Sequence, residues 1–250
     1  MTRYDFRTPR LYVEDRLAAD GRLDLRAPQK HYLKDVLRLK PGDKVLVFNG
    51  MDGEWGASIA AGPARSMQLV LDKPTRPQTA AGDLHYLFAP LKRGRLDYVV
   101  EKAVEMGASR LQPVLTRHTQ AERVNTVRMR ANVIEAAEQC GVLSVPAVDE
   151  PLALPRALAE LAKDRLLIFC DEDAPVADPL AALSAARSAH GVQRLALLIG
   201  PEGGFHPDER ALALAREGVI RLALGPRILR ADTAAVAALA LVQVVLGDWR

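Results

Sequence analysis

The sequence predicts a two-part fold: a small N-terminal β-barrel carrying one helix, then an α/β domain with a mainly parallel sheet. Three observations support this. The first third alternates short apolar runs with turn residues. The remainder alternates apolar runs of strand length with segments of helical period. Between them, Asp72–Asp83 carries two prolines, small residues and no apolar periodicity, the pattern of a linker. The expected division is 1–74 and 75–250.

In the first part, Leu11–Val13 and Gly21–Ala27 read as short strands. Pro41-Gly42 makes a turn before the strand Val45–Phe48, and Asn49-Gly50 signals a hairpin after it. Two more strands are expected around Gly56–Ala60 and Gln68–Leu71. One helix is expected near Pro28–Leu39, with Pro28 in its first turn and Leu33, Val36 and Leu37 on its apolar stripe. In the second part, strands are expected at Leu84–Ala89, Leu111–Leu115, Leu166–Cys170, Leu195–Ile199 and Val219–Leu224. Leu96, Val99, Val100 and Ala103 share a helix face between the first two. Leu212, Leu214 and Ala215 do so after Pro207, and a last helix runs from about Asp232 to Leu246. Strands alternating with amphipathic helices build a parallel sheet.

At 49% hydrophobic and 26% charged residues the chain is an ordinary globular one. Residues 1–75 hold 13 of the 34 basic and 10 of the 31 acidic residues, so the whole surplus of +3 lies there. That location points mildly to a polyanionic partner. Cys140 and Cys170 are the only cysteines and neither sits in a CxxC, which excludes a disulfide framework or zinc knuckle. The five histidines have no metal-ligand spacing, so no metal is expected. The first residues lack an apolar leader core, and the most apolar stretch, Ala231–Leu246, is shorter than a membrane span. A cytoplasmic protein without membrane contact is expected.

Ligands of open parallel sheets bind outside the carboxyl ends of the strands. Two glycine-bearing loops fall there: Gly200-Pro201-Glu202-Gly203-Gly204-Phe205 and Gly225-Pro226-Arg227-Ile228-Leu229-Arg230. Glycine permits close backbone approach and proline fixes the loop shape, so an adenine and a ribose could lie between them. Neither loop is a complete G-x-G-x-x-G, and no G-x-x-x-x-G-K-[ST] occurs, which disfavours dinucleotide and nucleoside triphosphate sites.

The runs LLIGPEGGF (Leu197–Phe205) and LALGPRILRADTAA (Leu222–Ala235) resemble the paired signature of the RsmE family of SPOUT methyltransferases. So do LKRGRLDYVVEKAVEMGAS (Leu91–Ser109), LTRHTQ (Leu115–Gln120) and EAAEQCG (Glu135–Gly141). His31–Gly50 is similar to that family's PUA-like domain, and the blocks occur in family order over nearly the whole chain. The resemblance implies a C-terminal domain with a deep trefoil knot that holds S-adenosylmethionine, a homodimer, and methylation of uridine N3 in 16S rRNA of the small ribosomal subunit. It places the cofactor against Cys170, against Ile199, Gly200, Pro201, Glu202 and Gly203, and against Leu224, Gly225, Ile228 and Leu229. Three departures stand out: Ala231-Asp232 for the usual Thr-Glu, Val142 for a common Arg, and His206 for a usual Ser helix cap.

For that chemistry Arg230 is the expected catalytic cation, stabilising negative charge on a uracil oxygen. Its structural alternative is an ion pair with Glu202 or Asp232. Glu202 is expected either to take the N3 proton or to brace its loop, and Asp232 to cap the last helix and serve the site second. Lys30, Lys34 and Arg38 recur at i, i+4 and i+8 on the expected N-terminal helix, close in sequence to Arg3, Arg7 and Arg10. With the charge surplus lying there, they are expected to contact RNA phosphates, together with Lys92, Arg93 and Arg117. Two other readings stay open. One is a SPOUT enzyme acting on a ribose 2′-oxygen of tRNA or 23S rRNA. The other is an RNA-binding protein without catalysis.

Overall fold

In the computed structural model, residues 5, 7–62, 67–121, 123–176, 178–190 and 194–249 are described. The chain forms two compact units, residues 1–80 with 137–145, and residues 81–136 with 146–250.

The first unit is a curled five-stranded sheet. Its strands are β1 (Arg10–Tyr12), β2 (Arg22–Asp24), β3 (Lys44–Phe48), β4 (Glu54–Ile59) and β5 (Gln68–Arg76), in the order β1-β3-β4-β5-β2. Only the β1–β3 pair is parallel. Alternate residues of these strands, among them Leu11, Leu23, Val45, Val47, Ala57, Ile59, Leu69 and Leu71, bury a common core. Leu33 closes it from the single helix.

Two expectations are corrected here. Asp72–Arg76 is the second half of β5, not linker. Pro74 is tolerated because β5 pairs with β2 only through 68–70, so beyond that point one edge needs no N–H donor. The expected helix Pro28–Leu39 is also shorter and irregular. An α-helical turn, α1 (Ala27–His31), passes into a π-helical turn over Tyr32–Val36, where Leu37 N–H donates to Tyr32 O at 2.9 Å. The end closes at Arg38, which takes a left-handed φ of +57°, with Leu39 N–H donating to Leu33 O at 2.9 Å. Lys30, Lys34 and Arg38 therefore do not form one regular i, i+4, i+8 stripe.

The β3–β4 connection is also longer than a two-residue hairpin. It spans residues 49–53, with Asn49 Oδ1 accepting from the N–H groups of Met51 and Asp52. Gly53 is required in it, since φ is +79° and a Cβ would stand 2.4 Å from Arg76 O.

The second unit is a parallel sheet flanked by helices. Its strands are β6 (Leu84–Phe88), β7 (Arg110–Leu115), β8 (Ala147–Val148), β9 (Leu152–Ala153), β10 (Arg165–Cys170), β11 (Arg194–Ile199) and β12 (Val219–Leu222). The order is β12-β10-β11-β6-β7-β8, with β9 pairing on β7, and every pairing is parallel. The helices are α2 (Arg93–Glu105), α3 (Thr126–Cys140), α4 (Leu154–Glu160), α5 (Pro179–His190), α6 (Pro207–Leu214) and α7 (Ala231–Val245). The apolar α7 packs on α2 and α5 and buries Ala235, Ala238, Leu239 and Val242 inside its own chain. Its apolarity is thus largely accounted for within one molecule, although Val244 stays half-exposed. No helix among the described residues is long and apolar enough to cross a membrane.

Candidate active site

The edge strand β12 and its neighbours β10 and β11 end side by side, and the loops after them enclose a cavity of about 790 Å³. Phe169, Ile199 and Leu222, buried strand residues, give it an apolar floor. All ten residues expected to meet the cofactor line it: Cys170, Ile199, Gly200, Pro201, Glu202, Gly203, Leu224, Gly225, Ile228 and Leu229. Ile228 is almost fully exposed at the mouth.

The glycines of the two loops have distinct local surroundings. A Cβ on Gly200 would meet the Phe205 ring at 2.5 Å, so this glycine lets Phe205 fold back edge-on against Phe169, 5.1 Å away. Gly203 lines the cavity, and a Cβ on it would point toward His118, 3.4 Å distant, whose Nδ1 lies 3.0 Å from the Gly203 and Gly204 carbonyls. Gly225, with φ of +88° and open space around a Cβ, is the glycine whose backbone conformation the second loop demands.

Asp171, just beyond Cys170, forms the charged wall. Arg210 donates to it at 3.2 and 3.1 Å and Arg221 at 2.7 Å. Burial by itself would raise the Asp171 pKa, but these hydrogen bonds outweigh it and hold the carboxyl below its ordinary value. Desolvation pushes the Cys170 thiol up to about 12, which removes it as a nucleophile.

Arg230 is the N-cap of α7, exposed, and among the described residues it forms no ion pair. The helix starts one residue earlier than expected, so Asp232 lies in its first turn rather than capping it and accepts from Thr233 N–H. The anticipated partnership of Arg230 with Glu202 or Asp232 is replaced by one with Arg95. This residue of α2 lies 3.6 Å from Glu202 and 3.8 Å from Asp232. His206 does cap α6: it accepts from Asp208 N–H while Glu209 reciprocates, a capping box in which His stands for Ser.

The expected RNA contacts separate into groups. Arg10 is buried and donates to Glu54 at 2.9 Å; Arg76 and Thr75 complete the cluster, so Arg10 supports the first unit and is removed from the RNA set. Arg7, Lys34 and Arg38 are exposed and Lys30 is half-buried. Lys92 is exposed at the N-cap of α2. Arg93 opens that helix, its side chain outside the described set, and Arg3 lies outside the described residues. Arg117 is held by His206 at 2.9 Å and Asp208 at 3.0 Å, which ties it to the start of α6. Among the described residues no cluster of three His, Cys, Asp or Glu could hold a metal ion.

The resemblance includes the strand end Cys170–Glu172, and so Asp171, in the cofactor site, but sequence reasoning misses Arg95, His118 and Arg210 as site-forming side chains. Arg95 and His118 reach the site from distant segments, and Arg210 from the helix after the first loop.

A parallel sheet whose adjacent strand ends and loops enclose a cavity, in a chain that also carries a curled β-unit, is the architecture of an α/β enzyme that binds a small molecule at the strand ends. Residues 78–243 match the family described as RNA methyltransferase domain, and residues 25–72 match the RNA methyltransferase PUA domain. Ribosomal RNA small subunit methyltransferase E of Rickettsia conorii is 30% identical over 237 residues, covering 94% of this chain and 95% of the relative. The chain belongs to the ribosomal RNA small subunit methyltransferase E family. The crystal structure of the Neisseria gonorrhoeae member bound to S-adenosylmethionine superposes with a TM-score of 0.85 at 24% identity, covering 97% of this chain and 100% of the other. A Legionella pneumophila protein described as a methyltransferase, in complex with the same cofactor, gives 0.79 at 27% identity, covering 95% and 98%.

Proposed function

We propose that this enzyme methylates N3 of one uridine in 16S rRNA, in the cytoplasm, acting as a homodimer on the assembled small ribosomal subunit. It is an S-adenosylmethionine-dependent RNA methyltransferase by family. The observation that carries the reading is the cavity at three adjacent strand ends, with Arg230, which forms no ion pair among the described residues, lying in sequence between the lining residues Leu229 and Ala231.

The cavity fits the cofactor. Its volume lies within the range of small-molecule sites, its floor is apolar enough for an adenine, and backbone groups of Ile199–Gly203 and Leu224–Leu229 are available to hold polar edges. When bound there, S-adenosylmethionine supplies a methyl group already activated by the sulfonium, so no metal is required. The chain's own residues must then make the uracil N3 nucleophilic. Arg230 places a fixed positive charge, reinforced by the N-terminus of α7, where the imide's oxygens develop negative charge. Glu202 on the cavity wall is the carboxylate placed to accept the N3 proton. Residues 1–74 would dock RNA through Arg3, Arg7, Lys30, Lys34 and Arg38, and residues 75–250 would add Lys92, Arg93 and Arg117 around the transferring site.

A trefoil knot is part of this reading. It is supported by β12 lying at the sheet edge beyond β10 while α7, which follows it, packs on α2, α5 and β11. The segment 223–230 must therefore cross the strand ends. The dimer reading rests on half-exposed Val244 and Trp249 at the end of α7 and just beyond. A monomer at micromolar concentration in analytical ultracentrifugation would remove it.

The deciding experiment is methyl mapping of rRNA from a deletion strain, before and after incubation of its small subunits with the enzyme. One N3-methyluridine in 16S rRNA should be absent and then restored. A missing ribose methyl, or no change, would refute the assignment.

A further inference from the structure

Arg95 stands where a helix disfavours it. It lies in the first turn of α2, which contains no acidic residue, so its charge opposes the positive end of the helix dipole. Its local position is unfavourable, and the compensation comes from elsewhere in the chain. One guanidinium approaches Glu202 in the loop after β11 at 3.6 Å and Asp232 in the first turn of α7 at 3.8 Å. Both carboxylates are close in the chain to site elements: Glu202 lines the cavity, and Asp232 follows Arg230 by two residues. Yet Arg230, the cation nearest to Asp232 in sequence, makes no ion pair among the described residues.

We propose that Arg95 is a positioning residue for methyl transfer: by occupying Glu202 and Asp232 it leaves Arg230 free to face the substrate. The inference rests on the catalytic reading of Arg230. Without Arg95, two carboxylates lose their counter-charge, and the exposed Arg230 side chain is drawn into the pair that Arg95 now holds. The quantity lost is then the transfer rate at saturating cofactor, whatever the change at the Glu202 wall does to affinity. A single ammonium cannot span both carboxylates as the planar guanidinium does, so Arg95→Lys compensates only in part.

The test is a double-mutant cycle in single-turnover methyl transfer to small subunits at saturating cofactor. Thermal melting and cofactor affinity are measured on each protein. Arg95→Gln should slow transfer about tenfold or more at saturating cofactor. Adding Asp232→Asn should recover part of that loss, because the competitor for Arg230 is gone. In an Arg230→Ala background, Arg95→Gln should cost nothing further. An additive loss in that background, absence of recovery with Asp232→Asn, or a fall only in melting temperature would make Arg95 a brace and overturn the proposal. If Arg230→Ala itself transfers at the normal rate, the reading of Arg230 fails and this inference with it. Failure of the inference alone is distinct: Arg230→Ala is then slow, but the two effects add.

Discussion

At the amino ends of the parallel strands, Arg165 is fully buried and donates to Asp83 Oδ1 at 2.7 Å and to the Asp83 and Leu195 carbonyls at 3.0 and 2.8 Å. Arg194 takes the second Asp83 oxygen at 2.8 Å, and Arg110 pairs with Asp149 at 2.6 Å. At the carboxyl ends of the same sheet, Arg95 shares two carboxylates at 3.6 and 3.8 Å while Arg230 stands exposed without an ion pair among the described residues. The strands are continuous between these ends, so the backbone does not set the difference. One edge uses charge to lock strand starts together, with short bonds and a buried cation. The other has a tight cluster as well, Asp171 with Arg210 and Arg221, but holds Arg95 loosely and leaves Arg230 without an ion pair among the described residues around an open cavity. If the proposed role of the carboxyl edge holds, stability and chemistry are separated along one strand direction, and substitutions at the two edges should fail in different ways.

The largest expected effect is at the locked edge. Asp83→Ala leaves the Arg165 cation buried without its carboxylate, and should cost about 3 kcal/mol of unfolding free energy, the low end for a buried pair because the Asp83 side chain is itself half-exposed. Urea denaturation measures this; a loss under 1 kcal/mol would mean that the edge is not locked by charge. At the open edge, Asp171→Asn keeps the side-chain shape but removes the charge that Arg210 and Arg221 share. It should cost about 1.5–3 kcal/mol by hydrogen-bond energetics and also weaken cofactor binding, because the wall after β10 loosens. Calorimetric titration with S-adenosylmethionine reads the second effect.

Acid should distinguish the edges too. Burial, and then the nearby Arg165 charge, lower the His85 pKa to about 4 from its ordinary 6.5. The folded state therefore disfavours the charged imidazole, and the unfolded chain binds more protons between those values. Stability should fall as pH drops from 6.5 toward 4, and His85→Gln should flatten that slope in pH-dependent melting. Asp83 and Asp171, both held below the ordinary carboxylate value, keep their contribution until pH falls below about 4.

The smallest effect concerns the first unit. Lys34→Ala with Arg38→Ala should reduce the log–log salt slope of RNA binding by about one unit per lost phosphate contact. Arg10→Met should leave that slope alone and lower stability instead. Equal slopes for all variants would mean that the exposed cations are merely solvated.

Much of this was legible in the sequence because backbone requirements leave local marks. The two glycine loops follow apolar runs of strand length, so the parallel sheet and the two loops at its carboxyl edge could be read directly, while the ten expected cofactor residues, all of which line the cavity, came from the family resemblance. Long-range side-chain partners leave no such mark. Arg95 lies over a hundred residues from Glu202, and nothing in LKRGRLDYVV separates it from Lys92 or Arg93. Arg10 looked like one of three arginines in a basic segment, and only folding pairs it with Glu54. Pro74 read as a breaker because sequence does not reveal which strand edge lacks a partner. The π-helical turn at Tyr32–Val36 arises from one residue of extra winding, below what apolar periodicity resolves.

The separation of chemistry from stability is tested most directly by Arg230→Ala, measured by single-turnover methyl transfer to unmethylated small subunits and by thermal melting of the same preparation. Loss of one preorganised charge contact at the reacting centre should lower the rate by about 10²–10³. The melting temperature and S-adenosylmethionine affinity should stay at wild-type values, and activity should recover as pH rises and the imide ionises unaided. A variant that transfers methyl at the normal rate but melts earlier would place Arg230 among the structural cations and contradict the account.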